Sequence, residues 1–263
     1  MTALASRLAV IAAGLPIVVA CAWYGGWFLV ALAAPAALVA LHELYRMARS
    51  LRPLVLAGYA GAVGALVGAE LGGAGGMAGG FLTSFPLAFL FAALAETRQS
   101  ATVAVATTVL GAAWVGVGLA HLVLVRDLAE IGQDALLAVV FTVFATDTFS
   151  YVAGRLAGRH TMTPVLSPRK TWEGLVVGTA AGLATCFFVL YTTEVSGWRS
   201  LVVGGLIVLA ATVGDLFESL VKRDLRAKDS GSVLLGHGGV LDRVDSLLFA
   251  APAAYYAFLA LSP

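Results

Sequence analysis

The sequence predicts an all-α, polytopic integral membrane protein with about nine transmembrane helices and a cytoplasmic N-terminus. Three observations carry that expectation. Hydrophobic residues make up 60% of the chain and charged residues 12%, about half the charged share of a soluble domain. Apolar runs of about 20 residues, the length that spans a bilayer, recur from one end to the other. The basic residues fall almost entirely in alternate gaps between those runs.

The runs lie at roughly 6–24, 27–45, 53–71, 79–96, 101–123, 134–154, 172–193, 200–219 and 244–262. The first has Arg7 near its start and Val18-Val19-Ala20-Cys21 further in, an order that also resembles a processed leader. A second run follows at once, so an ordinary first membrane helix is the better expectation. Gly25-Gly26 separates the first two runs. The glycines from Gly72 to Gly80 are expected to form a flexible link between the third and fourth. Gly and Ala inside the runs suit close helix packing. The whole reads as a single transmembrane domain, with N-terminal helices over 1–130 and catalytic helices and cytoplasmic loops over 131–263.

With the N-terminus inside, Arg7, Arg46, Arg49, Arg52, Arg98, Arg155, Arg159, Arg169, Lys170, Lys222, Arg223, Arg226, Lys228 and Arg243 all face the cytoplasm, 14 of the 16 basic residues. Only Arg126 and Arg199 fall outside. The formal net charge of +1 gives no sign of a nucleic-acid partner. Cys21 and Cys186 lie far apart in apolar runs and form no disulfide or CxxC pattern.

Two charged constellations stand out in this apolar chain. In the first, Asp147 and Tyr151 share a helix face near the cytoplasmic end of the sixth run, with Arg155 one turn on. A carboxylate within a span faces a bundle interior or a water-filled cavity. It is read either as half of an ion pair with an arginine or as a substrate contact. Ser167 and Pro168 are expected to cap and open the seventh helix. That start would offer free N–H groups to a phosphate, with Arg169 and Lys170 adding positive charge. Glu173 can pair with a neighbouring base. The alternative is a capped helix with snorkelling basic side chains.

The second constellation runs from Asp215 to Ser246 and holds eleven charged residues. Asp215, Ser219, Lys222 and Arg226 recur at helical spacing, so the eighth helix is expected to emerge from the membrane with one polar face. Gly231, Gly236, Gly238 and Gly239 bracket His237 and let backbone approach a ligand. Asp242 and Asp245 are three apart at the start of the ninth helix. Carboxylates are the hard donors that Mg²⁺ prefers, and Asp215 and Asp242, on adjacent helices, can converge on one ion. His237 has no companion for a zinc site. A lipid-headgroup clamp or a charged transport gate would explain the same charges.

These residues resemble a known signature. Ser219-x-x-Lys222-Arg223-x4-Lys228-Asp229, followed by Gly236-His237-Gly238-Gly239-x-x-Asp242-Arg243-x-Asp245, is similar to that of the phosphatidate cytidylyltransferases, or CDP-diacylglycerol synthases. Ser167-Pro168-x-Lys170-Thr171-x-Glu173-Gly174 and Asp147 with Gly154-Arg155 are similar too. The resemblance covers roughly the last 120 residues. Leu235 departs from it, since that family usually has a proline there, and a stiffer loop.

The resemblance implies that CTP and phosphatidate give CDP-diacylglycerol and pyrophosphate, for phospholipid synthesis at the plasma membrane with the site facing the cytoplasm. It implies Mg²⁺, with a second metal ion an open alternative, and a homodimer surrounded by membrane lipid. Asp215 and Asp242 would hold the metal. Lys170, Lys222, Arg223 and Asp242 would act on the reacting groups. Asp147, Arg155, Ser167, Ser219, Lys228, Asp229, His237, Arg243 and Asp245 would bind substrate or order the loop. The chemistry is consistent: by analogy with phosphorylated side chains, whose second pKa is about 6, a lipid phosphate monoester is largely a dianion at neutral pH. It is already a nucleophile and needs mainly charge neutralisation.

Two alternatives remain: a CTP-dependent lipid kinase, which would release CDP, and a membrane transporter of anionic substrates. The CDP-alcohol phosphotransferases carry an Asp-Gly pair, which this chain lacks.

Overall fold

The computed structural model describes residues 16–95, 100–227, 230–231 and 238–261. Among these, seven helices are long and apolar enough to cross a membrane, and the only sheet is one short hairpin. The all-α membrane architecture is therefore as expected. Arg7, Arg98 and most of the first apolar run lie outside the described residues; of that run, residues 16–24 form helix α1. The chain divides into two compact units, one drawn from Met1–Asp127 and Leu225–Val244, the other from Leu128–Asp224 and Asp245–Pro263.

The first unit contains α2 (Gly26–Met47), α3 (Val55–Leu82), α4 (Ser84–Leu94), α5 (Ala101–Gly111) and α6 (Gly118–Arg126). A π-helical segment, Ala112–Val117, joins the last two into one span. The glycine run proves to be a sharp turn plus a packing surface rather than a flexible link. The helix breaks only at Gly72 and Gly73, where Gly73 takes φ +59°. Beyond it the chain folds back: Gly76 meets Gly68, Gly80 meets Gly64, and Ser84 meets Gly61. A Cβ at Gly64 would lie 2.7 Å from the Gly80 carbonyl oxygen. Backbones approach this closely only where neither helix carries a side chain, the small-residue packing that favours association in lipid.

The second unit contains α7 (Gly132–Ala157), strands β1 (Thr161–Thr163) and β2 (Ser167–Thr171), α8 (Trp172–Val189), α9 (Trp198–Asp224) and most of α10 (Leu241–Leu261). Glycines again set the spacing. Gly174, Gly178 and Gly182 recur every four residues on α8 and lie against Thr146, Ser150 and Gly154 of α7. Gly214 of α9 admits Phe249 and the Asp245 carbonyl of α10. These contacts bring the polar ends of α7, α9 and α10 together.

Two expected boundaries move. Ser167 and Pro168 do not open α8. They lie in β2, which pairs antiparallel with β1, Thr161 opposite Thr171 and Thr163 opposite Ser167. Proline is tolerated in such an edge strand because it needs no ladder donor there. The helix begins at Trp172, with Thr171 as the cap: its hydroxyl accepts the Gly174 N–H at 3.2 Å. At the other site, α9 ends at Asp224, and Arg226 sits beyond it at φ +55°, off the helical face.

Candidate active site

Charged side chains from α7, β2, α9 and α10 meet within the second unit. Asp215 on α9, Glu218 one turn on, and Asp245 on α10 bring carboxylate oxygens within 4.8 Å of one another. Glu218 is only 2% exposed and Asp245 8%. Three carboxylates this close, in a poorly solvated place, need positive charge. Two lysines supply part of it. Lys170 Nζ, from β2, lies 2.6 Å from Asp215 Oδ2, and Lys222 Nζ lies 2.7 Å from Glu218 Oε2. Asp147 of α7 adds a fourth carboxylate, close enough to feel both Asp215 and Lys170, and hydrogen-bonds the Ser246 side chain. Its basic neighbour is thus a lysine rather than the arginine of the ion-pair reading.

The β-hairpin delivers Lys170, and several contacts hold the hairpin. The Trp172 N–H donates to the His160 carbonyl at 3.0 Å. Glu173 pairs with His160, Oε1 to Nδ1 2.6 Å. Arg223 Nε, at the end of α9, donates to the Leu166 carbonyl at 3.4 Å. Arg155 is turned to Tyr151, whose hydroxyl it reaches at 3.1 Å. Ser167 lies at the start of β2 and Ser219 on α9, one turn beyond Asp215.

Asp242 and Arg243 belong to the first unit. The Asp242 carboxylate Oδ2 accepts the Gly239 N–H at 2.9 Å and the Ser230 N–H at 3.3 Å. Asp242 thus faces the backbone of its own loop, and it is Asp245, one turn along α10, that approaches Asp215 and Glu218. Arg243 is exposed, in the first turn of α10. Lys228, Asp229 and His237 lie outside the described residues.

Two residues without an assigned role in the sequence emerge here. Glu218 is part of the carboxylate cluster; its spacing of three from Asp215 on one helix is the signal that could have found it. Glu43, a carboxylate inside the second apolar run, is the other. An ionisable residue within a span is a functional hypothesis in its own right.

A bundle of membrane helices that ends in buried carboxylates balanced by lysines has the parts of a metal-assisted phosphoryl- or nucleotidyl-transfer enzyme. The chain belongs to the cytidylyltransferase family, whose model matches residues 5–261. Relatives that carry the name phosphatidate cytidylyltransferase include the following three. That of Mycobacterium bovis is 35% identical over 245 residues, covering 86% of this chain and 78% of its own. That of Staphylococcus saprophyticus is 32% identical, covering 87% and 88%. A chloroplast form from Arabidopsis thaliana is 43% identical over 127 residues, 48% of this chain and 32% of its own.

Proposed function

We propose that this protein transfers the cytidylyl group of CTP to phosphatidate, giving CDP-diacylglycerol and pyrophosphate for phospholipid synthesis. In this reading a phosphate oxygen of phosphatidate attacks the α-phosphorus of CTP. The bond from that phosphorus to the oxygen bridging to the β-phosphorus breaks, and pyrophosphate leaves. Family membership over nearly the whole chain and the relatives' shared name support it. The observation that carries the chemistry is the convergence of Asp215, Glu218 and Asp245 with Lys170 and Lys222 at the ends of membrane helices.

The three carboxylates fit a hard divalent cation such as Mg²⁺, since all donors are oxygen and their charges outnumber the two paired lysines. Asp215, Glu218 and Asp245 would hold it; Asp242, the motif's other candidate, accepts the Ser230 and Gly239 N–H groups through Oδ2. When bound, the ion would neutralise triphosphate charge and stabilise the leaving pyrophosphate. Lys170 and Lys222 keep the carboxylates compensated and lie close enough to engage phosphate oxygens. Arg223 adds a further cation beside the hairpin. Asp147 and Ser246 form a polar wall on the α7 side.

The reading also includes nine crossings, a cytoplasmic N-terminus, a site open to cytoplasmic CTP in the plasma membrane, and a homodimer. The basic-residue asymmetry supports the orientation. The fold-back of α3 at Gly72–Gly73 supports counting the 40-residue span Val55–Leu94 as two. Labelled CTP incubated with phosphatidate and the purified protein, with and without Mg²⁺, tests the proposal. Metal-dependent CDP-diacylglycerol and pyrophosphate are expected. Release of CDP would identify a lipid kinase, and no turnover of CTP would favour a transporter.

A further inference from the structure

The second membrane helix takes part in shaping a loop almost two hundred residues downstream. Glu43 lies near the end of α2 and is 2% exposed. Its Oε2 accepts the Ser230 hydroxyl at 3.2 Å and the Leu241 N–H at 2.9 Å; its Oε1 accepts the Val240 N–H at 3.1 Å. Ser230 and Val240–Leu241 are two stems that flank the signature residues Gly236 and His237 in the sequence. Asp242 binds the same stems from the loop's own side, through Ser230 N and Gly239 N.

The glycines of the stems fit this carboxylate. A Cβ on Gly231 would meet Glu43 Oε1 and lie 2.8 Å from its Cδ; a Cβ on Gly239 would meet Glu43 Oε2 and Ser230 Oγ. Neither glycine has a positive φ, so what excludes a side chain at these positions is the approach of Glu43 and not the backbone angle. A buried carboxylate that accepts three donors from both stems fixes their separation. Its loss would leave buried N–H groups unsatisfied, and loop geometry would relax.

We propose that Glu43 is a positioning residue for cytidylyl transfer: it ties Ser230 to Val240 and Leu241 and so fixes the separation of the two stems on either side of the signature motif. The inference rests on the cytidylyltransferase reading for its kinetic consequence, and on geometry alone for the clasp.

The test uses the full chain in lipid nanodiscs. Glu43→Gln keeps the side-chain shape but turns one acceptor into a donor. Hydrogen exchange in peptides covering the Val240 and Leu241 amides is expected to speed up, while peptides from Gly132–Ala157 stay protected as in the parent protein. The kcat is expected to fall about 10- to 100-fold, with KM for both substrates changing much less. Glu43→Asp, which keeps the acceptors, should recover part of the kcat. Gly231→Ala probes the same contact from the loop: it should reduce kcat in the parent protein and do so less in a Glu43→Ala background, where the room is free.

Unchanged loop exchange and kcat in Glu43→Gln would overturn the proposal, as would additive effects of Gly231→Ala and Glu43→Ala. If Glu43→Gln does not insert, the Gly231→Ala effect on loop exchange decides. If the parent protein makes no CDP-diacylglycerol yet the exchange changes as expected, the reaction is wrong and the clasp stands.

Discussion

Two carboxylate centres in this protein are built on opposite principles. Glu43 meets neutral donors: two backbone N–H groups and a hydroxyl. The cluster of Asp215, Glu218 and Asp245 meets its own kind, with lysine ammonium groups as the compensating partners. A carboxylate whose lone pairs are directed at the backbone of one loop fixes a shape. Carboxylates crowded together at low dielectric create a demand for mobile cations, because their repulsion grows as solvent is withdrawn. The first arrangement suits positioning, the second binding and catalysis.

The comparison is broken most severely at Asp215. Asp215→Asn should remove turnover, a loss of about 10³-fold or more, with the protein still folded and membrane-inserted. The labelled-CTP assay beside a thermal unfolding curve checks it; near-normal turnover would sink the metal assignment. Removing Mg²⁺ with EDTA should have the same effect and be reversed by adding it back.

Next comes the distinction between the two centres. Asp245→Asn should raise the Mg²⁺ concentration for half-maximal activity by about tenfold or more, as loss of one donor weakens a hard-cation site. Glu43→Gln should lower kcat without moving that concentration. A parallel shift in both variants would erase the difference drawn here. Lys170→Ala should cost about tenfold or more in kcat/KM through the lost ammonium beside Asp215.

Smaller effects follow away from the charges. Gly178→Ala places a Cβ 2.7 Å from the Thr146 carbonyl and against Ser150. It should lower stability by about 1–3 kcal/mol, read as a reduced unfolding temperature, with activity per folded molecule little changed. Arg155→Ala removes an exposed contact with Tyr151 and should change turnover less than any of the others.

How far the fold was legible in the sequence depends on the element. Six of the seven spans among the described residues agree with their apolar runs to within about five residues, whereas Val55–Leu94 takes in two runs. The glycine run at 72–80 was misread because glycine signals both a turn and a close helix contact, and only its partner, here Gly64 or Gly68, distinguishes them. The start of α8 was misread because Ser-Pro is a good helix opening in isolation. Pairing with Thr161–Thr163 outweighs that local preference and hands the capping role to Thr171.

The site was partly legible. Asp147, Lys170, Asp215, Lys222 and Asp245 stand together in the second unit. Glu218 stands outside the Asp215, Ser219, Lys222 and Arg226 spacing that marks the polar face, and its near-complete burial is visible only in the packed structure. Glu43 had no local pattern to mark it beyond being an acid among apolar residues.

By itself, the sequence determined that this is a helical membrane protein and which segments hold its charge. It could do so because a bilayer forces each span to satisfy its backbone internally and to stay apolar, a requirement written residue by residue along the chain. Only the tertiary structure decided which carboxylates meet. That Asp245 reaches Asp215, or that Glu43 reaches Leu241 across 198 residues, depends on how helices rotate and how closely their glycines let them approach. Those quantities belong to packing between segments, and no periodicity within one segment encodes them.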